Sequence, residues 1–250
     1  MGIKAAENEI VLLTDADCLP FSDQWVAAMA SKYGQKEQIV LGFSNYRHLP
    51  GFLNYFIRFE TLLTGIQYLA AAAMGSPYMG VGRNLSYSKT LFLNNKGFRG
   101  YQDVVGGDDD LFVNKHAKGS NTAVAIGANA MTISVPKTSW GDFFNQKIRH
   151  MAVGKLYGFR AKFFLSVFSL TWILVYILSL TLFLLGTEPI YIAYLLGGRL
   201  LLMLLTFIVA KHKTGIAFGV AGVVFLDVFY SIYYIFAGTR ALFAKTIRWR

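Results

Sequence analysis

The chain has 250 residues, 54% of them hydrophobic and 15% charged, with a formal net charge of +10 and a mean hydropathy of +0.43. That is long enough for one sizeable domain plus a further unit, and too apolar for an ordinary soluble protein or a disordered tail. The basic residues cluster at 137–162, 211–213 and 240–250, beside apolar segments, which fits membrane topology and anionic headgroups rather than nucleic acid.

Residues 1–7 show no signal-peptide pattern and lead straight into the first apolar run. That run, Ile10-Val11-Leu12-Leu13, ends abruptly in Thr14-Asp15-Ala16-Asp17. It predicts a buried strand of a parallel sheet, and open α/β sheets bind ligands at the carboxyl ends of their strands. Asp15 and Asp17 can both turn toward one hard cation, which takes oxygen ligands and keeps positions open for substrate phosphates. An Asx turn that caps the following helix accounts for the pair equally well at this point. Cys18 is the only cysteine, which excludes an intrachain disulfide framework and a cysteine-based zinc site; it is expected as a small buried filler.

Ser22 as N-cap predicts a helix to about residue 33, with Trp25, Val26 and Met29 on one face and Gly34 at its end. Residues 39–43, IVLGF, read as a second strand. The segment 51–74 is rich in Phe, Tyr, Leu and Ala and is interrupted by Arg58, Glu60 and Gln67. It predicts a helix packed on the domain, with a position at a bilayer surface as the alternative.

The glycine-dense stretch GSPYMGVGRN, residues 75–84, runs into a possible strand at 85–87. Its glycines let backbone approach a ligand, but their spacing is neither a Walker loop nor a dinucleotide fingerprint. GGDDD at 106–110 opens a helix predicted to run to Lys118 and stop at Gly119. Acids in the first turn, Lys115 and Lys118 in the last and a closing glycine suit the helix dipole without any further role. Three adjacent carboxylates also repel one another, which raises the pKa of at least one and favours proton acceptance in an enclosed site.

Residues 122–126 and 131–135 predict a hairpin or edge pair. The helix opening at Trp140 places Gln146, Arg149 and His150 at i, i+3 and i+4, on one face. Arg149 can hold a diphosphate there while His150 stacks or donates a hydrogen bond. A basic helix resting on anionic lipid explains Lys147, Lys155, Arg160 and Lys162 equally well, but not Gln146.

Residues 163–185 form an uncharged apolar stretch long enough to span a bilayer, and Gly186-Thr187-Glu188-Pro189 makes a tight turn. Residues 190–210 form a second span, containing Arg199 and ending at Lys211-His212-Lys213. A third segment, 216–237, is apolar except for Asp227. With the basic segment before Phe163 on the cytoplasmic side, the first two spans return the chain to the cytoplasm. The third then carries Arg240, Lys245, Arg248 and Arg250 outward, against the positive-inside tendency. Asp227 favours an incomplete or protein-buried span.

The ordered set TDAD after an apolar run, GVGRN, GGDDD opening a helix, QKIRH on a helix and then membrane segments resembles the membrane-bound inverting glycosyltransferases of family 2, related to cellulose, hyaluronan and ceramide glycosylating enzymes. The likeness covers roughly residues 4–157. It implies an α/β fold: a partial GT-A-like (Rossmann-like) domain over 1–160, then a membrane domain over 161–250 with two to three transmembrane helices. Asp15 and Asp17 correspond to the DxD that holds Mg2+ or Mn2+ and the nucleotide diphosphate. Matching Leu111 and Gly119 to the family helix puts the catalytic base at Asp108; the preceding acidic position is then Gly107, a departure that leaves Asp109 as the second candidate. Gln146, Arg149 and His150 look like the family's QxxRW, with histidine in place of tryptophan, and they join Asp15 and Asn84 as substrate contacts.

A larger departure lies upstream, where the family has a base-binding strand, loops and a helix, and residues 2–7 look like only the tail of that helix. The implied reaction moves a sugar from a nucleotide-diphosphate donor to a hydroxyl of a lipid or growing glycan. It is placed at the cytoplasmic face of the cell membrane, in a multi-pass protein whose partners are donor, acceptor and membrane lipids, with no nucleic acid. The alternative is a non-catalytic membrane scaffold, or an inactive truncated glycosyltransferase.

Overall fold

The computed structural model describes residues 2–101, 104 and 106–244, and its elements follow the apolar punctuation of the chain. A short helix α1 (Gly2–Ala5) leads into β1 (Ile10–Leu13), β2 (Cys18–Pro20), α2 (Trp25–Ala30), β3 (Ile39–Gly42), β4 (Ser44–Tyr46) and the long α3 (Phe52–Ala73). Beyond the glycine-dense loop come β5 (Leu85–Ser88), α4 (Lys89–Asn94), α5 (Asp110–His116), β6 (Thr122–Ala125), β7 (Thr132–Ser134) and α6 (Trp140–Val153). Three long helices follow, α7 (Phe159–Leu184), α8 (Pro189–Thr214) and α9 (Val223–Phe243).

The strands form two sheets, one ordered β1-β5-β3-β6 and the other β2-β7-β4. β3, whose four residues are all buried, pairs parallel with β6 and antiparallel with β5, as expected of a strand covered on both faces. The expected parallel neighbour of β1 is not realised: β1 pairs antiparallel with β5, Ile10 opposite Ser88 and Leu13 opposite Leu85, at the edge of its sheet. β1 is not buried throughout either: Val11 is buried, Leu12 and Leu13 are half-buried and Ile10 is exposed, because the strand lies at a sheet edge, and an apolar run does not set the direction of its partner. Nor do 122–126 and 131–135 pair with each other. A turn at Ala128–Ala130, entered through Gly127 with φ 126°, carries the chain from β6 in one sheet to β7 in the other.

The second helix is shorter than its sequence suggests. Ser22 Oγ accepts from the Gln24 N–H at 3.1 Å before the helix begins, and Val26 points outward while Trp25 and Met29 are buried. α3 is packed on the domain, as expected. Tyr68 on α3 donates to the Gly42 carbonyl at 2.6 Å on the sheet side. On the other side Phe59 stacks on Phe207 at 5.0 Å, and Phe56 meets Phe229 and Tyr233 edge-on at 4.9 and 5.0 Å.

α7, α8 and α9 are long and apolar enough to cross a membrane. The two charges inside this bundle meet. Arg199 donates to both carboxylate oxygens of Asp227, one at 2.9 Å; Tyr176 donates to the same group, and Asp227 is fully buried. α9 also packs on α3 and α6 through Phe52, Trp140, Phe143 and Phe229, so one apolar core is continuous across the expected boundary at residue 160. Lys155 does not reach for lipid but donates to the Leu242 and Ala244 carbonyls at 2.9 and 2.6 Å, capping the end of α9. Of the basic residues expected beyond α9, Lys245, Arg248 and Arg250 lie outside the described residues.

Candidate active site

Asp15 and Asp17 leave the end of β1 and project into solvent; a ligand atom from each of Asp15, Asp17 and Cys18 lies within 4.8 Å of the others. Asp17 is oriented from both sides: Ser134 Oγ donates to its Oδ2 at 3.4 Å and the Cys18 thiol to its Oδ1 at 3.5 Å. Burial pushes the Cys18 thiol up, so it stays protonated at neutral pH and backs the carboxylate as a donor. Two exposed carboxylates fit a hard divalent cation such as Mg2+ or Mn2+, while a protonated thiol does not fit a soft one. Although Asp15 is exposed, partial desolvation by the protein beside it raises its carboxyl, the Arg83 guanidinium opposes the rise, and the charges of Asp17 and Asp108 add to it. These four side chains therefore share one electrostatic neighbourhood, although Asp108 is more than 90 residues from Asp15 in sequence.

The glycine-dense loop reaches this place through its backbone. The Arg83 carbonyl accepts from Thr14 Oγ1 at 3.1 Å and Thr132 Oγ1 at 3.0 Å, and the Gly82 N–H donates to Asp109 Oδ2 at 2.6 Å. Asn84, expected to contact substrate, instead has 0% exposure and a fully engaged amide. Its Nδ2 donates to Phe43 and Ala130, both at 2.7 Å, and its Oδ1 accepts from Trp25 Nε1 at 3.0 Å. Asn84 staples the two sheets and α2 together and has no hydrogen left for a ligand. The neighbouring Arg83, which sequence reasoning passed over, instead stacks on Tyr46 with its Nη1 unpartnered; its signal was a cation placed among glycines with no acid at helical spacing.

The three acids at 108–110 take three environments. Asp108 is exposed; Asp109 caps α5, accepting from the Asp110 N–H at 2.7 Å as well as from Gly82; Asp110 is buried beside the Tyr157 hydroxyl. Burial first, and the Asp108 charge after it, push Asp109 up to about 6 against its two backbone donors. Burial and then Asp109 push Asp110 well above the carboxylate range. The helix ends at His116, earlier than Gly119 suggested; a Cβ on Gly119 would lie 2.6 Å from the Gly75 carbonyl, so glycine there serves a backbone crossing rather than a cap.

Gln146, Arg149 and His150 share one face of α6. The Arg149 Nε is buried without a hydrogen-bond partner. His150 stands exposed near the end of α6, where desolvation by the surrounding protein and then the charges of Lys147, Arg149 and Arg83 lower its imidazole below the usual range. Lys147 leaves the lipid-facing set, because it forms an ion pair with Glu60 on α3.

The α/β scaffold thus gathers acids suited to a hard cation and buried guanidinium nitrogens without partners, beside helices long and apolar enough to cross a bilayer. The chain belongs to the family described as Glycosyl transferase family group 2, whose profile matches residues 10–237. Among solved structures it is similar to the mannosyltransferase PcManGT from Pyrobaculum calidifontis in complex with GDP-Man and Mn2+, with 17% identity and a TM-score of 0.47. That alignment covers 96% of this chain and 61% of the mannosyltransferase, so the chain spans less than two thirds of that protein's length. No curated protein matches.

Proposed function

We propose that this chain acts as an inverting glycosyltransferase with a GT-A-like catalytic region. It moves a sugar from a nucleotide-diphosphate donor to a hydroxyl of a lipid or growing glycan, at the cytoplasmic face of a membrane that α7, α8 and α9 cross. The observation that carries the reading is that the Gly82–Arg83 backbone touches both Thr14, beside the Asp15–Asp17 pair, and Asp109, beside Asp108, in a chain of this family.

Asp15 and Asp17 are the residues that would hold Mg2+ or Mn2+, which when bound neutralises charge on the leaving diphosphate. Asp108, which is exposed, takes the proton of the acceptor hydroxyl as its oxygen bonds to the anomeric carbon and the carbon–diphosphate bond breaks. One base and one displacement invert the anomeric centre. Asp109, with both oxygens accepting from backbone N–H groups, holds the Gly82 loop against α5. Arg149, with an unpartnered Nε, and its neighbours Gln146 and His150 form the face that receives phosphate.

The test is transfer of radiolabelled sugar from a panel of nucleotide-diphosphate sugars to lipid and glycan acceptors, in wild type and D108N. At least one donor should support transfer, and D108N should lower kcat by roughly 100-fold or more. Undiminished transfer by D108N would remove Asp108 as the base, and the same outcome in D17N would remove the metal-binding role of the pair.

A further inference from the structure

The Arg83 guanidinium lies near enough to Asp15 to oppose the rise of its carboxyl, yet it is bonded to no acid among the described residues. Its Nη1 is buried with no hydrogen-bond partner. Leaving such a group unmet costs stability, so an unpaired guanidinium held in place is a receptor for an anion that arrives from outside.

Its placement is built rather than incidental. The guanidinium lies over the Tyr46 ring, 4.4 Å from the centroid, and Tyr46 is itself only 6% exposed. Tyr46 on β4 stands in register with Ser134 on β7, and Ser134 is the donor that orients Asp17. Adjacent strands are about 4.8 Å apart, so this ladder fixes the stacked guanidinium one strand over from Ser134. The Arg83 backbone is tied to the same frame, since Thr14, the residue before Asp15, donates to its carbonyl. Stacking occupies the face of the guanidinium and leaves its in-plane N–H groups, the geometry that matches two oxygens of one phosphate.

We propose that Arg83, stacked on Tyr46, is the cationic clamp that holds the donor's diphosphate across from Asp15 and Asp17. The assignment rests on the sugar-transfer reading above and adds to it a group from the GVGRN loop that touches substrate.

The experiment is binding of inorganic pyrophosphate in the presence of Mn2+, by calorimetry on the full chain in detergent micelles, with Mn2+ affinity alone and Tm measured in parallel. Wild type should bind, R83Q should bind roughly 10- to 100-fold more weakly, and R83K, which keeps charge without the fork, should fall between. Mn2+ affinity and Tm should stay at wild-type levels in R83K. Equal pyrophosphate affinity in wild type and R83Q would overturn the clamp while leaving sugar transfer standing. Loss of Mn2+ affinity or of folding in both variants would make Arg83 a structural residue and also overturn it. Failure of wild type itself to bind pyrophosphate with Mn2+ would overturn both readings together.

Discussion

Asp108, Asp109 and Asp110 differ only in where the chain turns beneath them. The first is left exposed, the second is fastened by two N–H groups, and the third is sealed against Tyr157. Asp109 keeps its proton up to about 6 in the folded chain, against an ordinary value of 3.8. The folded state therefore binds more protons than the unfolded chain between those values. The stability that Asp109 contributes is complete below the ordinary value and is lost as pH rises through about 6. In D109N the fall in Tm between pH 4.5 and pH 7 should be smaller than in wild type; an identical fall in both proteins would contradict the burial of this carboxyl. The sequence made the acids legible as a group, because three like charges at a helix start are conspicuous. It did not make their roles legible, since these depend on which amides of another loop lie within reach. The same limit explains Asn84 and Arg83. Their neighbouring positions in GVGRN look alike on paper, yet one amide closes on Trp25, Phe43 and Ala130 while the guanidinium beside it turns to Tyr46.

At the scale of elements, the two sheets are joined by that amide more than by any strand. A Cβ on Gly42 would lie 2.4 Å from Asn84 Cγ and Nδ2, within a fully buried site that has no free direction in which to yield. Gly42→Ala should destabilise the chain by about 1–3 kcal/mol in denaturant unfolding. Gly154→Ala, whose new Cβ meets nothing within 4 Å, should stay within about 0.5 kcal/mol of wild type. Equal effects at the two positions would show that Asn84 does not hold the sheets. The strands at 10–13 and 39–42 were legible as apolar runs, and α3 as a domain helix because Arg58, Glu60 and Gln67 interrupt an otherwise Phe- and Leu-rich segment. Their partners were not. Period and burial are properties of one segment, whereas antiparallel pairing of β1 with β5 and the transfer of the chain from β6 to β7 are set by loops such as Gly127. β2 and α4 are too short to leave a periodic signature.

At the scale of the whole molecule, α9 is the shared wall. It meets α8 through the Arg199–Asp227 ion pair, α7 through Tyr176, and α3 and α6 through aromatic rings, so the long apolar helices and the α/β elements rest on one core. Arg199 and Asp227 read in the sequence as blemishes in two separate spans, and only the packing shows them as partners. Removing one member strands the other in an apolar bundle. D227N should therefore lower stability by roughly 3 kcal/mol or more, and R199L/D227L should recover most of it. Equal stability of D227N and wild type in a detergent unfolding titration would show that the pair does not hold the bundle.

The central claim, that Asp15 and Asp17 form one cation site with Asp108 beside it but not part of it, is tested most directly by Mn2+ titration read by electron paramagnetic resonance. The orientation of a ligand alone changes affinity by roughly 10- to 100-fold, so loss of a ligand should do at least as much. D15N and D17N should each weaken a single Mn2+ site by that factor or more, while D108N binds as wild type does. Wild-type Mn2+ affinity in D17N, or no saturable Mn2+ site in the native chain, would contradict the account.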